Sequence, residues 1–159
     1  MTQILRTLHP GDLGWIISQH GEIYTREFQF DPYFEIHIAA KVVAFCEKAV
    51  PFDTFWMVEI DGERAGSIAI SKIADEVAFL NFVLVSTKFR GQGVAQALVN
   101  KAIDHARTHG MRVVQLETYS CLQNARKLYK KLGFAIIEPP TKIEKFGQTF
   151  DQEFWEYRL

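Results

Sequence analysis

The chain has 159 residues, 48% of them apolar, enough to bury one continuous core and too few for two domains of ordinary size. Its 18 basic and 19 acidic residues leave a net charge of −1, which gives no basic footprint for nucleic acid or an anionic membrane and directs attention to a small or peptide substrate. No apolar run reaches the length of a membrane span, and MTQILRTLHP has neither an apolar leader core nor a small-residue cleavage site, so a cytoplasmic location is expected.

Gln3 to Leu8 reads as a first strand, closed by Pro10 and Gly11. Asp12 is placed to cap a helix that carries Leu13, Ile16 and Ile17 and reaches past His20. Residues 21–31 fit either a continuation of that helix or a loop. Asp31 before Pro32 signals a second helix, whose apolar positions Phe34, Ile38, Val42, Phe45 and Ala49 recur at helical spacing until Pro51 stops it. The period then changes. Thr54–Ile60 and Arg64–Ile73 read as strands joined at Asp61-Gly62, a strong hairpin signal. After Asp75-Glu76, the near-continuous apolar run Val77–Val85 predicts a strand covered on both faces. An amphipathic helix with Val94, Leu98, Ala102 and Ala106 on one side follows and ends at Gly110. Met111–Thr118 is a strand, residues 122–132 a helix ended by Gly133, and Phe134–Ile137 a strand. Phe150–Tyr157 is a last strand after a connection containing Pro139 and Pro140. Three consecutive strands leave no room for crossover helices, so the order predicts a mixed α/β sandwich of the α+β kind in a single domain, residues 1–159.

Arg90-Gly91-Gln92-Gly93-Val94-Ala95 lies where a buried strand gives way to a helix. Glycines there let a ligand approach the backbone, and the free amides of a first helical turn suit a pyrophosphate. Glycine-rich turns also serve tight packing alone. A dinucleotide fingerprint would need glycine where Gln96 stands, and a P-loop would need Gly-Lys followed by Ser or Thr, which is absent.

The run VLVSTKFRGQGVAQALV resembles the acetyl-CoA motif of the GNAT acetyltransferases, with Lys88 where the family has Gln or Arg. LETYSCLQNARKLYKKLGF resembles the second GNAT motif, matching at Ala125, Leu128, Tyr129, Gly133 and Phe134. Leu122 replaces an Asn common in the family, and Asn124 nearby is a candidate CoA contact. Segments on either side resemble the acetyltransferase domain of bacterial regulators in which it follows a MarR-type winged helix. The resemblance implies a GNAT fold, with a mixed, mostly antiparallel sheet of about seven strands flanked by four helices. It implies acetyl-CoA as co-substrate, a primary amine acceptor that attacks the thioester directly, and a homodimer as a candidate state. An acyl-CoA sensor without turnover is the rival reading.

By the same resemblance, a β-bulge near Val83 and Val85 would free backbone groups of Val83, Leu84 and Val85 for the pantetheine arm and the thioester carbonyl. Lys88, Arg90, Gly91, Gln92, Gly93, Val94 and Ala95 would surround the pyrophosphate. Tyr129 would protonate the departing thiolate, although helical spacing alone also fits a packing role. Glu117 is the candidate base, or a strand carboxylate facing solvent. His20, Tyr24, Glu27 and Asn81 are candidate acceptor contacts. No metal is expected: His105 and His109 share a helix face but lack a third ligand, and Cys46 and Cys121 are assigned to packing. The basic side chains Arg126, Lys127, Lys130 and Lys131 are either phosphate contacts or a solvated face. The aromatics Trp15, Tyr24, Phe28, Phe30, Tyr33 and Phe34 either line an acceptor pocket or fill the core.

Overall fold

The computed structural model describes residues 1–159, and its elements begin and end where the apolar pattern changes period. β1 (Gln3–Arg6) is followed by α1 (Asp12–Phe28) and α2 (Tyr33–Lys48). Residues 21–28 therefore continue the first helix. Gly21 is tolerated inside it because the Glu35 side chain of α2 occupies the space a Cβ would need. Asp31 caps α2 as expected, accepting the Tyr33 N–H at 3.0 Å. Asp12 does not cap α1, which is preceded by Gly11 in the left-handed region. Its carboxylate is instead held by Arg6 at 2.7 Å, Arg64 at 2.8 Å and the His9 N–H at 2.6 Å. Burial pushes that carboxyl up, but these donors outweigh burial and hold it at about 2.

β2 (Thr54–Ile60) and β3 (Glu63–Ala74) are joined by Asp61 and Gly62 at φ 49° and 82°, the hairpin turn the sequence predicts. Then come β4 (Val77–Val85), a 3-10 turn at Thr87–Phe89, α3 (Val94–Thr108), β5 (Val113–Tyr119), α4 (Gln123–Leu132), β6 (Ala135–Ile136), β7 (Thr141–Lys145) and β8 (Gln148–Arg158). The sheet has eight strands in the order β1-β2-β3-β4-β5-β8-β6, with β7 also on β8. It is mixed and mostly antiparallel as anticipated; β4 and β5 form its parallel pair. β7 was not anticipated: Thr141–Lys145 is exposed apart from half-buried Ile143, so it lacks alternation, and Phe146-Gly147 turns it into β8 two residues before the expected start at Phe150.

Alternation along the strands sends side chains to two cores. Trp56, Val58, Ile68, Ile70, Leu80 and Leu116 pack against Val94, Leu98, Val99 and Ala102 of α3, and α4 adds Tyr129. Phe55, Met57, Ala69 and Phe82 point the other way, against Ile16 of α1 and Phe34, Ile38 and Val42 of α2. Each fully buried Leu, Ile or Phe contributes about 1.5–3 kcal/mol to holding these layers together.

Candidate active site

β4 and β5 pair only where Val77–Phe79 face Val113–Gln115, and beyond those residues they diverge. Leu80–Val85 and Leu116–Tyr119 become opposite walls of a cleft of about 790 Å³. On β4, Leu84 lies opposite Ser67 and Asn81 opposite Ala69, so one extra β4 residue is accommodated. Phe82 absorbs it at φ 54°, and its carbonyl accepts the Ser67 hydroxyl at 2.8 Å. This is the expected bulge, and it re-aims β4 beside the cleft-lining Val83, Leu84 and Val85.

At one end of the cleft the chain enters α3 through Gly91 and Gly93, at φ 74° and 76°. No atom lies within 4 Å of where their Cβ atoms would be, so left-handed backbone and open approach, not packing, call for glycine here. Every amide from Gly91 to Gln96 lacks a backbone acceptor, and Ala97 is the first to donate, to Gly93 at 3.0 Å. With no side chain capping α3, those amides and the positive helix end form an open anion cradle. Gly91, Gly93, Val94 and Ala95 line the cleft, whereas Lys88 and Gln92 do not. The Lys88 ammonium is held by Glu63 at 2.7 and 2.8 Å. Arg90 lines the mouth and grips Glu27 of α1 through both guanidinium nitrogens, one at 3.0 Å; the structure thus joins a residue expected on the cofactor side to one expected on the acceptor side.

Tyr129 projects from α4 between Phe134 and Trp155, with ring centroids 5.8 and 6.4 Å away. It is 5% exposed and lines the cleft. Its hydroxyl has no hydrogen-bond partner in the protein, yet it is not among the sealed, orphaned polar atoms, so it opens to the cleft. Burial pushes its pKa above the ordinary phenol value, which keeps it protonated at neutral pH. Asn124 stands at the mouth in the first turn of α4. Arg126 is committed to buried Glu153 at 2.9 Å, which also accepts the Trp155 indole N–H at 3.1 Å, so it is not a free phosphate contact.

The opposite side is built from side chains. His20 is buried, and Nδ1–H of its neutral ring donates to the Ile16 carbonyl at 2.7 Å; burial lowers its pKa to about 4. Tyr24 stacks on Phe34 at 4.4 Å, and burial raises its pKa. Asn81 donates to Ser71 at 3.2 Å and to the Phe79 carbonyl at 3.3 Å. Glu27, the remaining acceptor-side candidate, and Glu117, the candidate base, also line the cleft. The structure adds residues not singled out in the sequence: Lys41, His37, Tyr119 and Thr118, all lining the same cleft. Lys41 had a signal, three residues after Ile38 and seven after Phe34 on the buried stripe of α2. Tyr119 shares a strand face with Glu117, and burial, then Glu117, raises its pKa.

A family model described as the Acetyltransferase (GNAT) family matches residues 16–134. The chain belongs to that family. An uncharacterized N-acetyltransferase of Methanocaldococcus jannaschii is 39% identical over 88 residues, 52% of this chain and 39% of that protein. N-acetyltransferase 8F1 of Rattus norvegicus is 34% identical over 107 residues, 64% of this chain and 44% of that protein. The chain thus matches less than half the length of these curated relatives. In fold, the GNAT chain is similar to the ribosomal-protein-alanine N-acetyltransferase of Brucella melitensis, with TM-score 0.79 and 16% identity over 98% of this chain and 99% of the other. A putative acetyltransferase from Salmonella typhimurium, solved with its cofactor acetyl-CoA, gives TM-score 0.78 at 18% identity over 99% and 94% of the two chains.

The other sequence candidates in this GNAT chain divide between core, surface and cleft. Phe30 and Phe34 are buried in the second core, and Tyr33 is 71% exposed; of the aromatics named above, Tyr24, Phe28 and Phe34 line the cleft. His105 reaches across to the Phe52 carbonyl at 2.8 Å, and His109 to the His105 carbonyl at 2.8 Å. No group of three or more His, Cys, Asp or Glu side chains is arranged to hold a metal ion, and no helix is long and apolar enough to cross a membrane.

Proposed function

We propose that this protein transfers the acetyl group of acetyl-CoA to a primary amine. The observation that carries the reading is the pairing of an open amide cradle at Gly91–Gln96 with an unpartnered, protonated phenol at Tyr129, both on one cleft between diverging strands. The residues fit the co-substrate: amides and a helix N-terminus suit the pyrophosphate, and the diverging edges of β4 and β5 suit the amide-bearing arm. The amine nitrogen attacks the thioester carbonyl carbon, the carbon–sulfur bond breaks, and the thiolate takes its proton from the Tyr129 hydroxyl. The ammonium proton leaves through Glu117, directly or by way of water. Val83, Leu84 and Val85 offer the main-chain contacts to the arm and the carbonyl, and His20, Tyr24, Glu27 and Asn81 border the acceptor. His20, neutral with a pKa of about 4, is a poor proton acceptor and acts by shape. Two free cysteines accord with a cytoplasmic setting.

Thiol release from acetyl-CoA across a panel of amines, with binding followed calorimetrically on the same preparation, tests the reading. Turnover with any amine supports transfer. Tight binding without turnover across a broad panel points to the sensor, and no binding overturns both.

A further inference from the structure

Lys41 stands on the buried stripe of α2, between Ile38 and Val42, where a lysine is costly unless its ammonium escapes to water or meets an anion. The side chain passes over the Phe82 ring, with Nζ 5.8 Å from its centroid, and lines the cleft. None of the protein's ion pairs includes Lys41, and none includes Glu117 on the facing wall. The group that approaches Glu117 is the neutral Tyr119 hydroxyl, on the same strand face. The cleft therefore holds one cation and one anion, neither of them closed into an ion pair.

The surroundings do not neutralise Lys41 beyond what Glu117 provides. His20 of α1, His37 of α2 and Lys145 of β7 are its basic neighbours. Burial lowers the Lys41 pKa, Glu117 opposes that, and Lys145 adds to it. Burial also holds His37 at about 4, so that ring is neutral at pH 7. A bare ammonium entering this end of the cleft meets repulsion in a region of low dielectric, whereas a molecule bearing an anion beside its amine complements both charges.

Resting on the acetyl-transfer reading, we propose that the acceptor is an amino acid-type zwitterion, with its carboxylate received by Lys41 and its amine presented to Glu117. Lys41 is then a specificity residue of the acceptor site, separate from the amide cradle.

The test measures kcat/KM for amino acids and for their carboxamides at saturating acetyl-CoA, in wild type, Lys41→Met and Lys41→Arg. Wild type is expected to favour the acid over its carboxamide by about tenfold or more, the range of a charge-assisted hydrogen bond. Lys41→Met should collapse that preference to about twofold or less through the KM of the acid, and Lys41→Arg should keep most of it. Retained acetyl-CoA binding reports that each variant is folded. Equal use of acid and carboxamide by wild type, or a preference that survives in Lys41→Met, overturns the proposal. Absence of thiol release with every amine tried, in protein that still binds acetyl-CoA, overturns the transfer reading and this proposal with it.

Discussion

On the α3 side, what the cleft offers a ligand is main chain: the amides of Gly91–Gln96, the bulge at Phe82, and the backbone of Val83–Val85. On the α1–α2 side it offers side chains: His20, Tyr24, Lys41, Glu117 and Tyr119. Backbone donors offer one chemistry whatever the residue, so the first half suits a ligand that never changes. Side chains can be replaced one at a time, so the second half is where the proposed reading puts acceptor choice. Tyr129 belongs to the first core but opens onto the space between the halves.

The sharpest way to break this division is Tyr129→Phe. It should lower turnover by about 10- to 1,000-fold with acetyl-CoA affinity nearly unchanged, because a proton donor is lost and the amides stay. Unchanged turnover in a thiol-release assay would remove Tyr129 from the chemistry. The side-chain half has its own signature in stability. His20 is buried and neutral, its pKa lowered from 6.5 to about 4, so the unfolded chain binds the extra proton between those values. Its contribution is complete above pH 6.5 and is lost as pH falls toward 4, by about 3 kcal/mol. Denaturant melts across that range should show the slope, and His20→Leu should reduce it, His37 leaving a remainder.

In the backbone half, Gly93→Val should weaken acetyl-CoA binding by about 10- to 100-fold in a folded protein, since φ 76° strains a branched residue and its side chain would enter the cradle. Calorimetry on the variant checks this, and retained affinity would refute the cradle. The smallest effect is expected from Glu117→Gln: a fall in kcat of about tenfold or less at neutral pH, shrinking as pH rises and more of the amine arrives unprotonated. A pH–rate profile parallel to wild type would take Glu117 out of proton transfer.

The same division governs what could be read from sequence. Gly91, Gly93 and the strand-to-helix change declare the cradle locally, and the run Val77–Val85 declares the central strand, because each depends on residues adjacent in the chain. Lys41, Tyr119 and Glu117 meet only after α2 and β5 are folded onto one cleft, so no local spacing joins them, though Lys41's place on an apolar stripe was visible. β7 escaped because a charged edge strand has no buried face to impose alternation. Asp12 looked like a helix cap; the guanidiniums of Arg6 and Arg64 that claim it are brought in by β1 and β3.

The short parallel pairing of β4 with β5 reaches beyond the chemistry. A sheet unzipped past Phe79 and Gln115 is an unfinished seam, and a ligand laid into it binds the folded chain and not the unfolded one. By mass action such a ligand raises folding stability by about 2.7 kcal/mol at a hundred times its Kd. Resistance of the protein to heat and proteases thereby becomes a gauge of how much of that ligand surrounds it.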